Sequence, residues 1–508
     1  MPSTLKDMND NLRQQEKTVR RVVLLTALYS VPGLLVLVPI IDPDIWWHMR
    51  TGEWIVEHRA VPWTDPFSTY AGEKLWVAYS WLFEVLVYGL HRWFGLWGLI
   101  LYSLIMSLLI AVALHKLVRR YALPFSSEVA LTAAGLLAMK PLLSPRPWLF
   151  TILFFIVELD ILFAARQSGN LRKLLWLPPL FLLWANLHIQ FVYGLFVLGL
   201  AAAEPLLERL RRRRGPDTEG WLKSFLYLLL VTLACGAATL LNPYHVFVYQ
   251  PVILFIEQTG FFDYVGEMAA PKFRGLWDWF VLATLLGATF SLGWWREKRP
   301  FLMLLLITGA FLSFRARRDV WVVAVSSVTV IAAVWGGRIG QDSFAITRHR
   351  AASAVVMLII ASGVVCVRRD LSEFRLQEVV AAEFPASAAA FVEEHKYTGP
   401  LYNHFDWGGY LLWRLPRVPV IVDGRGNVHG DKRVIDIHET WIGKQKWSSD
   451  PHLAASRLII AGVEFPLASL LRMDSRFELV YEDKIAVVFI ARSQSANHKT
   501  IKGQPQQH

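Results

Sequence analysis

Asp42-Pro43-Asp44 runs directly into Ile45-Trp46-Trp47-His48, so two carboxylates and an imidazole fall within seven residues. The pair closes an apolar segment, where partial desolvation would raise a carboxylate's pKa toward the range of a general base. Asp44, or Asp42, is therefore the candidate catalytic base. The same groups, Asp42, Asp44 and His48, could instead hold a divalent cation, Mg or Mn, through oxygen and imidazole. The competing structural reading makes the acids helix caps and the tryptophans an interfacial belt.

A second signal is cationic. Phe314-Arg315-Ala316-Arg317-Arg318-Asp319 places three arginines within four residues, and Arg146 sits in the stiff turn Ser144-Pro145-Arg146-Pro147. Guanidinium forks suit phosphate oxygens, so Arg315, Arg317, Arg318 and Arg146 are candidate ligands of an anionic group such as phosphate. The alternative is headgroup snorkelling with Asp319 as the partner. Substrate-binding candidates are Trp47, His48 and Asp65 in the first long loop, and Asn186 and His188 within an apolar run. Asp406, Asp423 and Arg425 join them near the C-terminus, after segments that read as strands, where open α/β sheets bind ligands. Walker spacing, zinc spacing, a lipase elbow and a kinase signature are all missing from the sequence.

These residues need elements to position them. Of 508 residues 54% are hydrophobic and 18% charged, against roughly a quarter charged in soluble domains. Stretches such as Val22–Ile41 and Leu96–Leu114 contain no Lys, Arg, Asp or Glu, and about 20 such residues cross a bilayer core. The fold class is thus an α-helical polytopic membrane bundle with a C-terminal extracytoplasmic α/β domain. Eleven spans are predicted, near 22–41, 95–115, 126–143, 148–165, 174–187, 190–207, 221–241, 276–295, 300–314, 320–336 and 351–367. With the N-terminus cytoplasmic, every inner segment is basic; together these segments hold 23 of the 52 Lys and Arg, as the positive-inside rule requires.

The predicted domains are a basic N-terminus (1–21), a membrane domain (22–367) with a long first outer loop (42–94), an α/β domain (368–492) and a disordered tail (493–508). Ser80–Phe94, amphipathic, is expected to lie along the membrane interface. Pro400–His404, Val418–Val422, Arg457–Ala461 and Phe477–Ile490 read as strands or a hairpin, and Pro385–His395, Gly408–Leu415, Asp431–Lys444 and Pro466–Arg472 as helices. The net charge of +11 needs no nucleic acid, because anionic lipid heads meet the inner segments. Cys235 and Cys366 lie in apolar runs and read as small core residues. The expected location is the plasma (inner) membrane.

An acidic Asp42-x-Asp44 entering a long first outer loop, many spans and an extracytoplasmic C-terminal domain together resemble the GT-C superfamily of polyprenyl-phosphate-dependent membrane glycosyltransferases. Asp44-Ile-Trp-Trp-His48, Asp65-Pro-Phe-Ser68, Trp407-Gly-Gly-Tyr410 and Asp423-Gly-Arg425 look like a bacterial branch of it. The resemblance implies that Asp44 or Asp42 is a base or positions a metal, and that one of Arg315, Arg317 or Arg318 holds the lipid-linked phosphate. It further implies a polyprenyl-phosphate sugar donor, an inverting transfer, and a glycan, lipid or protein acceptor, with membrane lipids as surroundings. The rival readings are a transporter or flippase of a lipid-linked or anionic solute, and a non-catalytic envelope-assembly protein.

Overall fold

The computed structural model describes residues 2–69, 73–211, 220–257, 260, 264–297, 299–338, 358, 362–444 and 446–492. Within them the first helices are α1 (Pro2–Val36), α2 (Ile45–His58), α3 (Trp81–Phe94), α4 (Leu96–Arg119), α5 (Phe125–Ala138), α6 (Trp148–Ser168), α7 (Leu177–Leu187), α8 (Phe191–Arg211), α9 (Gly220–Thr239) and α10 (Gln250–Glu257). There follow α11 (Leu276–Trp294), α12 (Pro300–Arg315), α13 (Val320–Trp335), α14 (Glu373–Glu383), α15 (Ala386–Glu394), α16 (Phe405–Arg414), α17 (Gly426–Trp441), α18 (Pro451–Ala455) and α19 (Pro466–Arg472). The strands are β1 (Leu401–Asn403), β2 (Leu458–Gly462), β3 (Phe477–Glu482) and β4 (Ala486–Ala491).

Helix ends follow local chemistry. Gly169 at φ 63° closes α6, a left-handed conformation that glycine adopts without penalty. Two prolines in the first turn open α7, where the missing N–H groups would be unpaired anyway. Lys116 and Arg119 occupy the last turn of α4, which suits the negative end of its dipole.

The chain forms two compact units. One comprises Met1–Val38, Ile100–Leu241 and Gly266–Leu371. Among the described residues seven helical stretches are long and apolar enough to cross a membrane, and six lie wholly within this unit: Gln15–Val36, Trp148–Ser168, Phe191–Leu210, Gly220–Thr239, Leu276–Trp294 and Arg317–Trp335. The seventh, Leu96–Arg119, enters it at Ile100. The protein is therefore a multi-pass membrane protein. Eleven full spans are not what the described residues contain. Helices occupy ten of the expected places, but α5, α7 and α12 are short, and most of 351–367 lies outside the described residues. The basic segment 1–21 is no separate region, since α1 runs unbroken from Pro2. Buried within this unit, Asp160 of α6 pairs with Arg120 and, at 3.1 Å, with Lys116.

The other unit comprises Pro39–Leu99, Asn242–Val265 and the chain from Ser372 onward. Its sheet has the order β1-β2-β4-β3, with β1 parallel to β2 and the other pairs antiparallel. The expected strand Val418–Val422 forms only isolated bridges: Val420 pairs with Leu401 on one side and with Ser68 on the other. The partner Ser68 comes from the first long loop, which corrects the assignment of 42–94 to the membrane domain. Thr69 donates its N–H to the Val420 carbonyl at 3.0 Å. Trp46 of α2 meets Tyr410 of α16 edge-on at 5.1 Å, and Phe384 stacks on the same ring at 5.0 Å. The loop thus completes the core that the C-terminal residues begin. The expected tail 493–508 lies outside the described residues.

Candidate functional site

In the second unit, Asp44 occupies the N-cap position of α2, yet its side chain makes no capping bond. Instead Asp42 Oδ1 accepts the Asp44 N–H at 3.0 Å. Both acids are half-buried. Asp44 Oδ1 lies 1.9 Å from the point where a Cβ on Gly424 would stand, and Trp47 Nε1 lies 3.0 Å from it. A Cβ on Gly409 would meet the Pro43 carbonyl at 2.7 Å, and one on Gly408 the Val422 carbonyl at 2.1 Å. The glycines in Trp407-Gly-Gly-Tyr410 and Asp423-Gly-Arg425 are there because backbone approaches backbone and carboxylate too closely for any side chain.

His48 is buried, with its ring centroid 3.5 Å from that of Trp47 and Nδ1 3.2 Å from Glu84 Oε1. Burial pushes the Glu84 carboxyl well above the usual range, and the charge of Arg425 opposes this only in part. Its other oxygen, Oε2, has no hydrogen-bond partner. The geometry gives the expected metal set Asp42, Asp44 and His48 no support. His48 is engaged with Glu84, and among the described residues no group of three or more His, Cys, Asp or Glu is placed to hold a metal ion. No step below runs through one.

Asp65, Asp423 and Arg425 are brought together. Arg425 Nη1 donates to Asp65 Oδ1 at 2.6 Å, while Nε and Nη2 grip both oxygens of Asp423 at 2.8 and 2.7 Å. The guanidinium lies over Phe67 and Trp76 at 5.1 and 4.6 Å. Asp65 also accepts the Phe67 and Ser68 amides, and His429 Nε2 stands 3.2 Å from Asp423 Oδ2. All three side chains are wholly buried. Burial alone would raise both acids, but the guanidinium outweighs it and holds both below the ordinary carboxylate value, Asp423 furthest. These three residues satisfy one another and are not presented to a substrate, contrary to their assignment as substrate ligands. Asp406 is exposed in the first turn of α16, whose N-cap is His404: its Nδ1 accepts the Asp406 N–H at 3.3 Å.

The first unit holds the cationic turn. Arg315 ends α12, and Arg317–Asp319 form one 3-10 turn before α13. Arg317 and Arg318 donate their backbone N–H groups to Ala269 and Glu267, each at 2.9 Å. Arg146 reaches the same segment, with Nη2 3.7 Å from Glu267 Oε2 and its guanidinium 5.0 Å over Trp148. Three of the four predicted arginines, Arg146, Arg317 and Arg318, thereby meet on Glu267–Ala269. Arg315 and Arg317 are exposed and Arg318 half-buried. The pairing of Asp319 with these arginines gives way to neutral donors: Gln190 Nε2 at 2.7 Å and Tyr193 Oη at 2.9 Å.

Beside the turn, His188 Nδ1 is 2.8 Å from Thr151 Oγ1, which accepts the Trp184 indole N–H at 2.9 Å. Burial, then the neighbouring charge of Arg318, hold the His188 imidazole neutral, its pKa down to about 3. Asn186 Nδ2 donates to the carbonyls of Leu182 and Leu241 at 2.8 and 3.0 Å, a tie between helices. Sequence reasoning passed over Gln190 and Tyr193 here, and Glu84 and His429 in the other unit. Only Glu84 carried a usable signal: it is the single acid in Trp81–Phe94.

No protein-family profile matches the chain, and no curated protein matches it in sequence. Among solved structures the chain is similar to the apo oligosaccharyltransferase of Archaeoglobus fulgidus, at 12% identity and a TM-score of 0.51, covering 87% of this chain and 70% of that one. It is also similar to apo ArnT from Cupriavidus metallidurans, at 14% identity, covering 94% of this chain and 98% of that one. There the TM-score of 0.42 is too low to argue from. The resemblance to the GT-C superfamily is borne out at the level of fold.

Proposed function

We propose that the protein transfers a sugar from a polyprenyl-phosphate-linked donor to an acceptor on the outer side of the plasma membrane, with Asp44 as the base. The acceptor hydroxyl attacks the anomeric carbon while Asp44, assisted by Asp42, takes its proton. The bond to the lipid phosphate breaks, and guanidiniums offset the charge that develops on the leaving group. One displacement inverts the anomeric centre.

The observation that carries this reading is that Arg146, Arg317 and Arg318 meet on the segment Glu267–Ala269, with Arg315 ending the helix just before the turn. Asp319, the acid within the turn, is bonded by Gln190 and Tyr193, and arginines concentrated at the end of an apolar bundle suit an anion that comes to them. The GT-C-like fold supports the same chemistry.

The test is transfer from a polyprenyl-linked sugar in membranes carrying Asp44→Asn or Asp42→Asn. Both variants should fold, and Asp44→Asn should lose transfer. Full transfer by both would overturn the assignment. The expected orientation, N-terminus cytoplasmic, is tested by reporter fusions at the two ends.

A further inference from the structure

The transfer chemistry gives the chain after Ser372 no work to do, yet its contacts inside the second unit are specific. Gly424 faces Asp44 Oδ1 so closely that a Cβ would stand 1.9 Å from it. Gly409 faces the Pro43 carbonyl. Val420 accepts the Thr69 N–H, and the Val428 carbonyl accepts Lys74 Nζ at 3.0 Å. Arg425 joins Asp423 to Asp65 inside a wholly buried network. Every one of these ties links residues 39–99 to residues 408–428.

A buried ion network in which each polar group is satisfied has one arrangement, because any other strands a charge. The network therefore fixes the 423–426 loop relative to Asp65. Gly424 lies between its two members Asp423 and Arg425, and it is Gly424 that abuts Asp44. We propose that the Asp423-Gly424-Arg425 loop is a positioning element for Asp44, and that the chain after Ser372 serves transfer by setting where this carboxylate stands. The inference rests on reading Asp44 as the base. A base works only within hydrogen-bond reach of its proton, and a displacement of about 1 Å costs on the order of 100-fold in rate.

Gly424→Ala tests it in the full-length protein in membranes. Gly424 does not occupy the left-handed region, so the obstacle to alanine is steric: Asp44 Oδ1 at 1.9 Å, with Trp47 Nε1 at 3.0 Å needing to give by a little. The expected result is a kcat lower by about 100-fold, an unchanged KM, and a shifted acidic limb in the pH–rate profile. Mere loss of folded protein would lower the amplitude and leave that limb in place. In an Asp44→Ala background, Gly424→Ala should cost little in thermal stability, because the clashing carboxylate is gone.

If Asp44→Asn is inactive while Gly424→Ala keeps wild-type kcat and pH profile, the positioning role is overturned and the base stands. If Asp44→Asn is fully active, the base itself falls. Should Gly424→Ala fail to accumulate, accumulation of Asp44→Ala/Gly424→Ala supports the contact. Failure of both overturns it.

Discussion

Arg425 and Asp65 lie 360 positions apart in the chain and 2.6 Å apart in space, with neither side chain reached by solvent. The same guanidinium holds Asp423 with two further bonds. One cation thus settles two buried carboxylates, one from the first long loop and one from the C-terminal part.

Removing Arg425 should be severely destabilising. Arg425→Met keeps much of the length over Phe67 and Trp76 but leaves two carboxylates buried without their cation. Breaking such a network from one side costs about 3–5 kcal/mol. Thermal unfolding should report this, and the loss should exceed that of Lys74→Ala, which removes only an exposed cation from the Val428 carbonyl. Equal losses would mean that the buried network contributes no more than a surface bond.

The pH dependence of stability follows from the signs of two shifts. Asp65 and Asp423 have folded pKa values below their ordinary 3.8. Their contribution is complete above that value and disappears as pH falls through the lower folded values. Glu84 has the opposite sign: burial raises it above 4.5, so its contribution is complete below 4.5 and is lost as pH rises toward its folded value. Glu84→Gln should therefore flatten the stability profile on the neutral side of 4.5 and leave the acid-side loss unchanged. Denaturation followed from pH 1 to 8 checks both limbs.

The arginine turn predicts a graded effect on transfer. Arg318, half-buried and close enough to add to the effect of burial on His188, should matter most: Arg318→Ala should lower kcat/KM by about 100-fold. Arg315 and Arg317 are exposed, so their alanine variants should lose less, and the loss should grow as ionic strength falls. Arg318→Lys should not restore activity fully, because an ammonium lacks the planar fork. Equal, small effects at all three positions would leave the turn as a headgroup contact.

Local pattern was enough to find the helices α15, α16 and α19 and the β3–β4 hairpin within a few residues, since period and turn residues are written nearby. The strand expected at Val418–Val422 failed because its hydrogen bonds go partly to Ser68 and Thr69, far away in the chain. The arginines at 315–318 were legible because cations between apolar runs break a composition rule. The fate of Asp65, Asp423 and Arg425 was not, for the same residue types serve a ligand site and a buried ion network equally well. What distinguishes these is burial, which depends on Phe67 and Trp76 covering the guanidinium. Gly408, Gly409 and Gly424 were the usable clue, since glycines beside strand ends ask what approaches them.

Glu158 separates transfer from solute movement. It lies in the middle of α6, wholly buried, and neither carboxyl oxygen has a hydrogen-bond partner. A Cβ on Gly194 would stand 2.6 Å from its Oε2, with Trp184 and Phe181 as close on the other sides. Such a group is costly to keep in an apolar bundle, and an intramembrane acid is what a transporter would use. A transferase working at Asp44 makes no use of it. Glu158→Gln, which keeps shape and removes the proton-binding oxygen, should leave sugar transfer intact and stability the same or higher. If the variant instead abolishes movement of a lipid-linked or anionic solute in vesicles while Asp44→Asn does not, the carboxyl at 158 is the working group, and transport displaces transfer as the reading of this fold.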